Sequence, residues 1–276
     1  MSDALSALKA GQANQALQLL QQDVRKRPED PKLRVFLFQV LAVLGQWDRA
    51  LTQLGVLAEL DAGALHMVHA YREAVRCERW REEVFAGARA PLLFGTPEPW
   101  MAQLVQALGH DATAAHMRAA AVEQAPAIAG EIDGAPFAWL TDADPRIGPM
   151  IELFANGNYY WVPMQHIAAL HTEAPCDLRD HVWLPATLRL TNGGELIGFI
   201  PSRYPGTVAS GKDALLLSRA TDWVGEGESQ LGLGQRMFAS ESADYALLDT
   251  RAIIFAHADA GEFDGNFAGE SASESK

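Results

Sequence analysis

The sequence predicts a chain of two unlike halves, multidomain α and α+β in class: an N-terminal α-α superhelix followed by a mainly antiparallel β-rich domain. Three observations predict it. A pattern of glycine, alanine and leucine recurs at a fixed offset near the N-terminus. Composition changes near residue 130, from Ala, Leu, Gln and Arg, which favour helix, to Gly, Pro, Trp, Tyr and Thr among short alternating apolar runs. Charge changes at the same place: residues 1–130 carry 13 basic and 14 acidic side chains, a net of −1, whereas residues 131–276 carry 9 and 21, a net of −12. With 276 residues, 49% of them apolar and 21% charged, the chain can bury a large core. The expected units are a helical domain at 1–130, a β-rich α+β domain at 131–257 and an acidic tail at 258–276. The tail has Gly, Ser, Asp and Glu but few anchors, and is expected to be disordered.

In chain order, Gly11-Gln12-Ala13 with Ala16, Leu17 and Leu20 recurs as Gly45-Gln46-Trp47 with Ala50, Leu51 and Leu54, every pair offset by 34. That is the tetratricopeptide period. Ala16 and Ala50 let paired helices approach closely, while Leu17, Leu20, Leu51 and Leu54 fill the seam. Gly11 and Gly45 end the first helix of each hairpin. Pro28-Glu29-Asp30-Pro31 breaks the chain and restarts a helix with Pro31 in its first turn. A degenerate third unit puts Trp80 33 residues after Trp47, followed by Val84, Phe85 and Ala88. Further helices are expected at 98–108 and 112–124. In the second half, 150–154 and 158–163 flank Asn156-Gly157, a tight-turn pair, and read as a hairpin with Tyr159 and Trp161 on one face. A second hairpin joins 187–191 to 195–200 through Asn192-Gly193-Gly194. Residues 164–172 are expected as a short helix, and 214–217 and 245–255 as strands.

Several functions are disfavoured at once. No polybasic stretch exists, and an acidic surface repels phosphate, so nucleic acid is not expected as a partner. The longest apolar run, 35–44, is interrupted by Gln39 and too short to span a bilayer; with no signal-peptide pattern, a soluble cytoplasmic protein without a membrane partner is expected. Cys77 and Cys176 are too few for a disulfide framework or zinc knuckle. Asp142 and Asp144, with Asp180 and His181 as further ligands, read as a candidate metal site because hard cations want clustered carboxylates, and a metal-dependent hydrolase using Asp142, Asp144 and Asp180 is the alternative reading. Against it, Pro145 makes a turn in which Asp caps amides, and Arg146 and Arg179 are close enough in sequence to neutralise the acids. Gly232-Leu233-Gly234 lacks the third glycine and lysine of a phosphate loop, and the histidines show no zinc-site spacing. No catalytic, cofactor-binding or metal-binding residue is therefore assigned, and no cofactor is expected. Arg146, Arg179, Arg203, Arg219 and Arg236 stand inside apolar or aromatic segments beside Asp144, Asp180, Trp183, Tyr204, Asp222 and Trp223. With Asp142 they are expected to form a structural polar network; a pocket for an anionic ligand is the rival.

Six ordered segments carry a resemblance. They are Phe137-Ala138-Trp139-Leu140-Thr141-Asp142-Ala143-Asp144-Pro145-Arg146-Ile147-Gly148-Pro149, Gly157-Asn158-Tyr159-Tyr160-Trp161-Val162-Pro163, Leu178-Arg179-Asp180-His181-Val182-Trp183, Ile200-Pro201-Ser202-Arg203-Tyr204-Pro205-Gly206, Arg219-Ala220-Thr221-Asp222-Trp223 and Leu231-Gly232-Leu233-Gly234-Gln235-Arg236. Together with the helical repeats they resemble the ImpE/TagJ family, accessory proteins of bacterial type VI secretion systems, from about residue 4 to 255. The resemblance implies a cytoplasmic, non-enzymatic protein that contacts the N-terminal helical region of the small sheath subunit (TssB/VipA-like). It also implies, for some members, a link to the ClpV-type ATPase that recycles contracted sheath. It brings no catalytic residues. A helix-in-groove contact is expected, with Trp47, Leu51, Leu54 and Trp80 as candidates in the repeats and Tyr159, Trp161 and Trp183 in the second half. Core packing is the competing role for each.

Overall fold

A computed structural model describes residues 2–109, 112–225, 227 and 230–257; the acidic tail expected at 258–276 lies outside the described residues. The first half is helical. α1 (Ser2–Lys9) and α2 (Ala13–Lys26) form one hairpin, α3 (Pro31–Val43) and α4 (Trp47–Leu60) the next, and α5 (Leu65–Phe85) follows. The repeat is physical. Gly11 and Gly45 take φ of +75° and +65°, and behind each glycine the chain bonds back identically, Gln12 N–H to the Ala7 carbonyl (2.8 Å) and Gln46 N–H to that of Leu41 (2.9 Å). Ala16, Ala50, Leu20 and Leu54 are fully buried along the seams. Asp30 starts α3 by accepting the amides of Lys32 and Leu33, with Pro31 behind it.

After β1 (Leu92–Leu93), α6 (Pro99–Gln106) and α7 (Ala112–Gln124) the chain turns to strands: β2 (Gly130–Ile132), β3 (Ala135–Phe137), β4 (Leu140–Asp142), β5 (Met150–Ala155), β6 (Asn158–Pro163), β7 (Ile167–Thr172), β8 (Trp183–Leu190) and β9 (Glu195–Pro201). The single turn α8 (Asp213–Leu216) precedes β10 (Thr221–Val224), β11 (Leu231–Gly234), β12 (Met237–Ser240), β13 (Asp244–Ala246) and β14 (Ala252–Phe255). Nine strands form one sheet in the order β1-β6-β5-β9-β8-β7-β14-β2-β3, beside a three-stranded sheet β13-β12-β4 and the hairpin β10-β11. Every pairing is antiparallel except β1 with β6. A tetratricopeptide-like helical region followed by a mainly antiparallel sheet is thus the fold. No helix of the described residues is long and apolar enough to cross a membrane.

Three local expectations are corrected, the first being 245–255, where the 3-10 turn Leu247–Asp249 divides the expected strand into β13 and β14. Of residues 164–172, only Met164–His166 coils, as one 3-10 turn; Ile167–Thr172 is β7, paired on both sides and buried along most of its length. A strand covered on both faces loses its alternation and reads as helix-compatible. Residues 214–217, expected as strand, fall in α8 and its cap, which Ser218 ends at φ +53°.

The halves share a core. On β5 and β6, Met150, Phe154, Tyr159 and Trp161 point to the helices, while Ile151, Leu153 and Val162 point to a second core closed by Leu140, Phe238, Leu247 and Leu248. Glu152 lies on the helix-facing side between Met150 and Phe154, which places a charge inside the junction.

Candidate partner-binding cleft and the charges behind it

Trp183 fixes where the helices meet the sheet. It has no exposed surface and packs on Phe38 (ring centroids 6.5 Å), Trp47 (5.7 Å) and Tyr71 (5.8 Å), from α3, α4 and α5. Its Nε1–H donates to Glu78 Oε2 at 3.1 Å. The helical face expected to take a partner is therefore filled by the chain's own second half. Of the candidate contact residues, Tyr159, Trp161, Trp183 and Leu54 are fully buried, and Leu51 packs half-buried on the same core. Trp80, also half-buried, donates to the Ala90 carbonyl (3.0 Å) under the Arg89 guanidinium. Trp47 alone of the seven reaches the edge of the cleft described below.

Around Glu152 lies a network of buried charges, arginines interleaved with carboxylates. Arg81 of α5 grips it with two parallel bonds, Nε to Oε1 (2.7 Å) and Nη2 to Oε2 (3.0 Å), and reaches Glu78 with Nη1 (3.0 Å). Arg236 binds Glu152 through Nη2 and Asp142 through Nη1 (2.8 Å). Tyr159 donates its hydroxyl to Glu152, and Trp161 donates to Tyr159. Arg146 chelates Asp144, which also accepts the backbone amides of Arg146 (2.9 Å) and Gly232 (2.8 Å). Burial alone raises a carboxyl's pKa, but Arg81 and Arg236 outweigh it and hold Glu152 at about 2. Asp142 has one arginine and Asp144 as a near neighbour, so burial prevails and pushes it up to about 7.

Two arginines act differently, on helix ends. Arg203 donates to the carbonyls of Val43 (2.7 Å) and Ala42 (3.4 Å) at the end of α3. Arg219 donates to those of Leu8 (2.8 Å) and Lys9 (3.1 Å) at the end of α1. Leu8 and Lys9 are the 34-residue counterparts of Ala42 and Val43, so the second half reads both repeats at the same place, the electronegative carbonyl end. Between these arginines, residues 203–219 run as a strap over the hairpin turns. Asp213 accepts the Ala13 amide at the start of α2. Val208 sits on Gly45, where a Cβ would meet its Cγ1 at 2.7 Å. Among the described residues no carboxylate bonds to Arg203, and burial lowers its pKa to about 10 despite Glu78 nearby.

The expected local pairs shift accordingly. Arg179 pairs with Asp177 (3.1 Å) under the Tyr71 ring, and Asp180 accepts the amides of Cys176 and Asp177. Asp222 pairs with Lys212 (2.7 Å), leaving Arg219 to α1. The carboxylates of the hydrolase alternative thus go separate ways, Asp142 to Arg236, Asp144 to Arg146 and Asp180 to backbone amides. Among the described residues no three His, Cys, Asp or Glu side chains gather as a metal site. Sequence reasoning missed Arg81, Glu78 and Glu152. Their only signal was one acid inside the apolar strand 150–155.

Beside the strap a cleft of about 640 Å³ opens between the end of α5 and the β10-β11 hairpin. Arg81, Arg146 and Arg203 back it, already engaged; Phe85, Val208, Val224, Leu231 and Leu233 supply apolar walls, and Glu82 stands at its edge. Its make-up suits a polypeptide side-chain surface, with apolar walls and a charged rim.

The ImpE protein description matches residues 134–254, and a tetratricopeptide repeat description matches residues 7–70. The chain is 49% identical over 258 residues to the type VI secretion system accessory component TagJ of Pseudomonas aeruginosa, covering 92% of this chain and 91% of that protein. The chain belongs to the ImpE family. Its fold is similar to the crystal structure of protein VPA1032 from Vibrio parahaemolyticus, with a TM-score of 0.84 and 28% identity over 92% of this chain and 98% of that one. In this ImpE chain the six resemblance segments supply most of the junction: Asp142, Asp144 and Arg146; Tyr159 and Trp161; Asp180 and Trp183; Arg203 and Tyr204; Arg219; Gly232 and Arg236. From these segments Trp183, Arg203 and Arg219 reach the helices, while the Arg81–Glu152 pair fastens the halves from outside them.

Proposed function

We propose that the chain is a non-enzymatic accessory protein of a bacterial type VI secretion system, acting in the cytoplasm. It binds the N-terminal helical region of the small sheath subunit (TssB/VipA-like) and presents the held sheath to the ClpV-type ATPase. The observation that carries this reading is the 49% identity to the TagJ accessory component over 92% of the chain. The tetratricopeptide-like fold supports a protein-protein role, because repeats of this kind present surfaces and bring no chemistry of their own. The charge of the second half favours a basic partner and an encounter that salt weakens.

The test is direct titration. A fluorescein-labelled peptide spanning the N-terminal helix of the same organism's small sheath subunit is titrated with the full chain, and anisotropy is read. Saturable binding tighter than about 1 mM is expected. A flat trace up to that concentration removes the sheath contact.

A further inference from the structure

The helices cover only part of the sheet's near side. On β9, Phe199 packs against Tyr71 of α5 (ring centroids 5.2 Å). Ile197, two residues earlier on the same side, is 71% exposed, more than any other large apolar side chain of the described residues. Pro185 on β8 is exposed beside them. Where this uncovered face meets α5, a pocket of about 350 Å³ opens, walled by Ala70, Ala74, Cys77, Phe154, Pro185 and Phe199. Among the described residues Glu73 is the one charged side chain in its lining, and burial pushes the Cys77 thiol up to about 12, so it is neutral. The pocket suits an apolar ring rather than an ion, and exceeds the roughly 150 Å³ that admits benzene to an apolar cavity.

The chain itself supplies such a ring within reach. The described residues end at His257, whose Nε2 meets the Ile167 carbonyl at the start of β7 (2.7 Å). Residues 258–276 follow, with Phe263 and Phe267 set among Asp259, Glu262, Asp264 and Glu270. From the end of β14 the way to Ile197 crosses β7 and β8 to β9, about three strand spacings across and three residues along, or roughly 18 Å. An extended chain spans about 20 Å by residue 263 and about 33 Å by residue 267. Phe263 therefore reaches Ile197, and Phe267 reaches the pocket beyond it with chain to spare. Arg189, on the same side, faces Glu195 across the strands, so charge adds little and burial of the rings carries the contact. We propose that the C-terminal segment folds back over this uncovered face, with Phe263 against Ile197 and the Phe267 ring in the pocket between α5 and β9. Tethering gives the segment an effective concentration in about the millimolar range, which favours it over a second molecule. The contact covers an apolar patch that otherwise invites association, and it is independent of the sheath reading.

Chymotrypsin, which cuts after aromatic residues, reads the contact in the native full-length chain, with mass spectrometry following the cuts after Phe263 and Phe267. In the wild type both cuts are expected to be about tenfold slower than in a free peptide of residues 258–276, because cleavage tracks the undocked population. Three full-length variants are compared, each first checked for an unchanged melting temperature. Ile197→Asp places a charge on the uncovered face and is expected to bring both cuts close to the free-peptide rate. Ala70→Phe fills the pocket and is expected to speed the cut after Phe267. Val224→Asp alters an exposed apolar side chain on β10, outside this face, and is expected to keep wild-type rates. Free-peptide rates in the wild type, wild-type rates in Ile197→Asp or in Ala70→Phe, or equal acceleration by Val224→Asp each overturn the proposal. Protection that fades on dilution assigns the face to a second copy of the chain and overturns it as well.

Discussion

Glu152 is a lone acid in an otherwise apolar strand, fully buried, and is tolerable only because Arg81, Arg236 and Tyr159 converge on it. An isolated buried carboxylate would protonate or unfold the site. Here two guanidiniums lower its pKa from 4.5 to about 2. The unfolded chain binds this proton more readily than the folded one, so stability rises with pH across that window. The contribution is fully present above the unfolded value and is lost as pH falls through the folded one. Glu152→Gln leaves both arginines facing a neutral amide, with an expected loss of about 3–5 kcal/mol at neutral pH. The deficit should shrink as pH falls from 4.5 towards 2, because the wild type then protonates the same group. Urea denaturation of both proteins at a series of pH values reads this, and a deficit constant across the series would defeat the assignment.

At the scale of elements, each of the first two helical hairpins is fastened at its turn by an arginine of the second half. Arg219→Ala removes two charge-assisted bonds to the end of α1 and is expected to cost about 1 kcal/mol. Hydrogen exchange should localise the effect: amides of α1 exchange faster, while those of α3, held by Arg203, keep their protection. Equal exchange in α1 with and without Arg219 would show the contact to be idle. The same elements explain what could be read in the sequence. The 34-residue offset was legible because close helix approach demands Ala16 and Ala50, and the turns demand positive φ at Gly11 and Gly45. The first β hairpin was legible because Asn156 and Gly157 both take positive φ. β7 was not, because burial on both faces erases period 2. β1 was not, because two leucines joining β6 in parallel from 68 residues upstream leave no local trace. Of the charges, Arg146 and Asp144 were legible two residues apart. Arg81 and Glu152, 71 residues apart, and Arg219 with Leu8, 211 apart, were beyond any local pattern.

At the scale of the whole molecule, the junction near residue 130 marks a change of texture, and the packing suggests that the two halves fold together. Phe38, Trp47 and Tyr71 receive Trp183, Arg81 receives Glu152, and the end of α3 receives Arg203. A fragment of residues 1–130 would expose that aromatic cluster and leave Arg81 without Glu152 and α3 without its arginine. Loss of the buried apolar partner and of the charge partner act in the same direction. The full chain is therefore expected to melt in one transition, with calorimetric and van't Hoff enthalpies about equal. The fragment is expected to lack a cooperative melt and to bind a hydrophobic dye such as ANS. A monomeric fragment that melts cooperatively would show the repeats to be a self-sufficient domain, and would leave the cleft, which needs walls from both halves, as the feature that joins them.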